Sequence, residues 1–135
     1  MESNDRTLQG PLLSIVDDDA SSRNSARRLA RLLGFQAEAF ASAQEFLNSG
    51  HVGNTACLIL DLRLPGMGGL ELQRFLSVSG HRIPIVFISG HASEDEQRRA
   101  MQAGAADFLC KPVSQEALAS ALQRCGAASP ETSDG

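Results

Sequence analysis

Asp17, Asp18, Asp61, Ser89 and Lys111 share a position in the chain: each follows closely on a short apolar run. Leu12-Leu13-Ser14-Ile15-Val16 stops at Asp17-Asp18-Asp19, and Cys57-Leu58-Ile59-Leu60 stops at Asp61. The run from Pro84 to Ile88 stops at Ser89-Gly90-His91, and that from Ala106 to Cys110 stops at Lys111-Pro112. Carboxylates gathered at one place repel one another, so one must take up a proton or a cation must join them. Lys111 supplies one positive charge, and a divalent metal supplies the rest. Oxygen ligands without histidine or cysteine favour a hard cation, Mg²⁺ first. A carboxylate nucleophile, a metal, a lysine and a hydroxyl donor suit phosphoryl transfer, where catalysis is mainly positioning and charge neutralisation. Asp61 is the natural acceptor, because it ends a buried strand with the Asp17/Asp18 pair facing it.

The elements that position these groups can be read from periodicity. The apolar runs are strand candidates, joined by a weaker one over Gln36 to Phe40. Between them lie helical patterns. Ser21 to Leu33 carries Ala26, Leu29, Ala30 and Leu33 on one face and stops at Gly34. Ser42 with Glu45, and Ser93 with Glu96, have the spacing of capping boxes. Leu70 to Ser77 places Leu72, Phe75 and Leu76 on one side, and Ser114 caps a last helix with Ala117, Leu118, Ala121 and Leu122 inward. Five strand-helix units with strands apolar at nearly every position predict an α/β fold, a doubly wound parallel sheet covered on both faces. In such a sheet the carboxyl ends of the strands line the ligand crevice, which brings the distant polar residues to one site.

Composition narrows the class. The 135 residues make one domain, and a net charge of −4 makes nonspecific grip on nucleic acid through phosphates a poor expectation. Neither Trp nor Tyr is present. The three cysteines, Cys57, Cys110 and Cys125, lack metal-ligand spacing and read as reduced thiols, two of them packing as small hydrophobes. No apolar run approaches a membrane span and no signal peptide opens the chain, so a cytoplasmic setting with no membrane contact is expected. Residues 1–10 and 126–135 read as a flexible N-terminus and a flexible tail or linker start flanking a domain over 11–125.

Taken in chain order, Val16-Asp17-Asp18, Leu60-Asp61 with Pro65-Gly66, Ile88-Ser89-Gly90, Asp107-Phe108 and Lys111-Pro112 resemble the receiver domain of two-component response regulators. The segments Phe87 to His91 and Ala100 to Leu109 resemble its FixJ-type branch. The resemblance implies a flavodoxin-like (CheY-like) sheet of order 2-1-3-4-5 with five helices. It implies phosphorylation of Asp61 and Mg²⁺ held by Asp18, Asp61 and the backbone carbonyl of Arg63, with Asp17 acting through water. Lys111 and Ser89 would bind the phosphoryl group, Ser89 and Phe108 would form the switch, and the Lys111-Pro112 peptide would be cis. The implied partners are a histidine kinase or phosphotransfer protein, approaching near the first helix. A homodimer through the fourth helix and fifth strand is a further implication. Ser89 stands where threonine is commoner, and Phe108 lacks the phenolic oxygen of the tyrosine many members carry.

Other readings compete. Asp17 and Asp18 taken alone are also helix caps, a job Asp19 can do by itself. Phe108 taken alone is a core residue. His91 lies near the site, while His51 and His81 read as exposed loop residues. Arg23, Arg27, Arg28 and Arg31 form either a solvated face or a docking surface for an acidic partner. Asp17-Asp18-Asp19 also has the Asp-x-Asp spacing of a haloacid-dehalogenase-type phosphatase, with Asp17 as nucleophile and Asp19 as acid/base, but this leaves Asp61 idle. A third possibility is an interaction module on the same fold that needs no phosphorylation. The receiver reading predicts a domain that assists only its own phosphorylation and dephosphorylation. It is either a single-domain regulator or a receiver cut from a longer chain.

Overall fold

A computed structural model of the chain describes residues 10–126. The expected flexible segments at either end fall almost wholly outside the described residues. Strands β1 (Leu12–Val16), β2 (Gln36–Phe40), β3 (Thr55–Asp61), β4 (Ile85–Ser89) and β5 (Asp107–Cys110) form one parallel sheet of order β2-β1-β3-β4-β5. Helices α1 (Ala20–Leu32), α2 (Ala43–Leu47), α3 (Gly69–Val78), α4 (Glu94–Gln102) and α5 (Gln115–Arg124) alternate with them. The fold is the doubly wound, flavodoxin-like one anticipated.

Alternation along the strands explains the two-sided cover, since successive side chains point to opposite faces. Leu13, Ile15, Cys57 and Ile59 pack with Ala26 and Ala30 of α1 and with Leu118, Ala121 and Leu122 of α5. Val16, Leu58, Leu60 and Phe87 pack with Phe46 of α2, Leu72 and Leu76 of α3 and Ala100 of α4. One polar pair interrupts the apolar strands. Thr55 Oγ1 donates to the His51 carbonyl at 2.7 Å, so Ser14 Oγ is the donor in its 2.7 Å bond to Thr55 Oγ1.

Helix starts follow local chemistry. The Asp19 carboxylate accepts from Ser22 N and caps α1. Ser93 and Glu96 form the full reciprocal box at α4. At α2 the expected box is shifted: Ser42 caps Glu45 N, but Glu45 Oε1 takes the N–H of Ala41. Gly34 and Gly104, at φ +95° and +105°, turn the chain after α1 and α4 in a region that other residues rarely enter.

Some expectations are corrected. Phe75 does not share the buried face of Leu72 and Leu76 but is 45% exposed. His51 is partly buried, its ring 6.2 Å from that of Phe40, whereas His81 is exposed. The arginines of α1 do not all face solvent freely: Arg23 donates to the Asp17 carbonyl at 2.8 Å, and Arg31 to the Ala37 carbonyl at 3.3 Å.

Candidate functional site

Sheet register assembles the site. Val16 pairs with Leu60, so Asp17 and Asp61 leave adjacent strands side by side. Asp61 pairs with Ile88, which sets Ser89 one step beyond on the next strand. Ser89 pairs with Cys110, and its carbonyl accepts from Lys111 N at 2.9 Å. Thus residues from four strand ends meet at the carboxyl edge of the sheet.

The centre is ionic. Lys111 Nζ lies 3.0 Å from Asp17 Oδ2 and 3.0 Å from Asp61 Oδ2. Asp17 and Asp61 are buried, whereas Asp18 is exposed. Carboxylate oxygens of Asp17, Asp18 and Asp61 lie within 4.8 Å of one another. Burial pushes the Asp17 carboxyl up, but the Ser22 hydroxyl, the Asp19 N–H and Lys111 together hold it below the ordinary aspartate value. For Asp61 burial prevails: with Asp17 beside it, its carboxyl is raised despite the Arg63 N–H and Lys111. Burial opposes the charge on Lys111, but Asp61 and Asp17 outweigh it and raise the ammonium's pKa.

These residues fit a hard cation. Three carboxylates face one ammonium, leaving negative charge uncompensated. Asp17 Oδ2 is buried and, despite its ion pair, has no hydrogen bond of acceptable geometry. An all-oxygen, acidic cluster with uncompensated negative charge, open on its Asp18 side, suits Mg²⁺.

The contacts that join the flanking loops were not legible in the motifs. Arg63 N donates to Asp61 Oδ1 at 3.0 Å, fixing that carboxylate. The Arg63 guanidinium spans to the next loop, donating to the His91 carbonyl at 3.1 Å and to Glu96 Oε1 at 2.8 Å. Glu96 thereby both caps α4 and holds the loop beside Asp61. Phe108 is half-buried and stacks on buried Phe87, with ring centroids 5.8 Å apart. The Lys111-Pro112 peptide is cis.

Gly69 carries a role that spacing alone does not reveal. A Cβ there would lie 2.7 Å from the Asp61 carbonyl oxygen and 2.9 Å from Leu62 Cα. We expect Gly69→Ala to cost about 1–3 kcal/mol by overpacking against rigid backbone. Gly68→Ala, whose Cβ would meet only Glu71 Oε1 at 3.7 Å, should cost far less. Urea denaturation of the two variants checks this; equal midpoints would contradict it.

The sequence profile of the family described as "Response regulator receiver domain" matches residues 13–123. The chain belongs to that family. Its relatives point to the FixJ-type branch. It is 42% identical over 112 residues to the response regulator protein TodT of Pseudomonas putida strain F1, a match covering 83% of this chain and 49% of TodT. The structure of the response regulator StyR superposes with a TM-score of 0.79 at 41% identity, covering 93% of this chain and 63% of that one. The FixJ N-terminal domain gives a TM-score of 0.76 at 34% identity, covering 87% and 94%. The chain spans about half the length of TodT. It is therefore a response regulator receiver domain of a two-component system, similar to that of FixJ. No helix among the described residues is long and apolar enough to cross a membrane.

Proposed function

We propose that this domain is a phosphorylation switch with Asp61 as acceptor. The observation that carries the reading is Lys111 Nζ poised between Asp17 and Asp61 at 3.0 Å from each. Asp61 Oδ attacks the phosphorus of a phosphohistidine on a histidine kinase or phosphotransfer protein, and the phosphorus–nitrogen bond breaks. Asp18, Asp61 and the Arg63 carbonyl would hold Mg²⁺, with Asp17 acting through water. When bound, that ion offsets the charge of the carboxylates and the incoming phosphoryl oxygens. Lys111 pairs with a phosphoryl oxygen, and the Ser89 hydroxyl, now accepting from His91 N at 3.2 Å, turns to donate to another. The movement of Ser89 frees space for Phe108, and the change passes to the surface of α4 and β5, where a second copy or an output partner binds.

A cleft between α1 and the segment after β5, lined by Ser22, Ala26, Leu29, Lys111, Pro112 and Val113, opens beside the site. It supports donor docking near α1. In this reading the chain turns over no separate substrate, works in the cytoplasm and binds no nucleic acid directly. The phosphatase alternative loses ground because the Asp19 carboxylate is engaged in capping α1.

Incubation with a small phosphodonor and Mg²⁺, followed by mapping of the labelled aspartate, tests the assignment. Label on Asp61 supports it, and label on Asp17 overturns it. The metal is tested separately. Mg²⁺ should raise the thermal midpoint of the wild type, by about 2.7 kcal/mol of stabilisation at a hundredfold excess over Kd. Asp18→Ala should lose that response. With no Trp or Tyr in the chain, circular dichroism is the suitable readout. An undiminished response in Asp18→Ala would remove Asp18 from the ligand set.

A further inference from the structure

The other end of the sheet holds a second reactive pair. Cys57 lies near the start of β3, fully buried among Leu13, Ile59 and Leu122. Cys125 is the C-cap of α5 and is only partly buried. Their sulfurs lie 3.1 Å apart, although 68 positions separate the residues in sequence. Cys125 Sγ also lies 3.3 Å from the Leu122 carbonyl. A disulfide needs a sulfur separation of about 2.05 Å, so closure asks for a movement of about 1 Å. The end of a helix is where the backbone yields most readily. Cys110 is exposed on β5 and takes no part in this contact.

We propose that Cys57 and Cys125 are a reversible oxidation site, closed to an intramolecular disulfide by a hydroperoxide. The half-exposed Cys125 reacts first. Its sulfur attacks the outer peroxide oxygen, the O–O bond breaks, and Cys125 sulfenic acid and water form when the oxidant is hydrogen peroxide. Cys57 sulfur then attacks the sulfenic sulfur; the S–O bond breaks, and the departing hydroxide takes the Cys57 proton as a second water. Two thiols lose two electrons, and the peroxide gains them. The order follows from access, and also from the neighbouring Cys125 and from burial, which push the Cys57 thiol far up and keep it from acting as the first nucleophile. The bridge fastens the last turn of α5 to the central part of the sheet, and a dithiol reductant reopens it.

Each cysteine falls on its own tryptic peptide: Cys57 on 32–63, Cys110 on 100–124 because Lys111-Pro112 resists cleavage, and Cys125 on 125–135. The folded chain is treated with hydrogen peroxide, denatured, alkylated and mapped. The expected result is a cross-link of 32–63 to 125–135 and a fall from three alkylatable thiols to one. A dithiol should reverse it, Cys110→Ala should retain it, and Cys125→Ser should lack it. Oxidation of Cys125 to a sulfinate without the cross-link, or linkage only through Cys110, would overturn the proposal.

Discussion

Exchanging Asp61 for asparagine should remove labelling by a phosphodonor, from near one phosphoryl group per chain to background. The amide oxygen is a poor nucleophile, so no acyl phosphate forms. The loss should not come from unfolding. Asp61 binds its proton more tightly when folded than the ordinary aspartate value, because burial and Asp17 disfavour its charge. A raised carboxyl contributes stability that is complete below the unfolded-state pKa and disappears as the pH rises through the folded one. At neutral pH the ionised group therefore weighs against folding, and a neutral isostere relieves it. Asp61→Asn should unfold no earlier than the wild type without Mg²⁺ while accepting no phosphate. Stoichiometric label persisting in this variant would overturn the acceptor assignment.

Replacing Lys111 by alanine should produce a different phenotype: a folded chain that accepts phosphate from a small donor but does not switch. The ammonium is the partner of two buried carboxylates, so its loss leaves them facing each other. Breaking a buried ion pair on one side costs about 3–5 kcal/mol, but Lys111 is 23% exposed, and the expected cost is smaller because water reaches the gap. Mg²⁺ should restore much of it. Removing one positive charge should also tighten Mg²⁺ binding by about tenfold or more, given an effective dielectric near 20. Switching is read as phosphorylation-dependent dimerisation, compared between wild type and variant by light scattering. Normal dimerisation of phosphorylated Lys111→Ala would contradict the role given to this lysine.

The parts of the molecule legible in the sequence are those in which local pattern and tertiary demand agree. Runs such as Cys57 to Leu60 and Pro84 to Ile88 are apolar on both faces because both faces are covered, and their polar ends are the crevice. What was hidden depends on contacts between distant segments. β3 begins at Thr55 rather than Cys57 because the Thr55 hydroxyl is satisfied by His51 and Ser14, which its polarity alone does not disclose. Phe75 sits at helical spacing from buried neighbours yet falls at the edge of the covered stripe. Glu96 reads as a capping-box partner of Ser93 and Arg63 as a backbone ligand, but the bond between their side chains emerges only when the two loops are set side by side. Gly69 reads as one more turn residue in a glycine-rich loop until β3 is seen against it. The site's acids and lysine were visible because each ends a strand; its supports were not, because loops carry no period.

The placement of the site's counter-ion on β5 has a consequence for synthesis. A chain made from its N-terminus completes Asp17, Asp18 and Asp61 well before Lys111 appears. Among the described residues β5 is an edge strand paired with β4, so the ammonium arrives after the other four strands of this sheet. Until then a nascent domain holds its acidic cluster without this lysine, and a proton or a metal ion must quiet it. The switching part proposed for this lysine would thus be acquired late in translation, with the joining of β5.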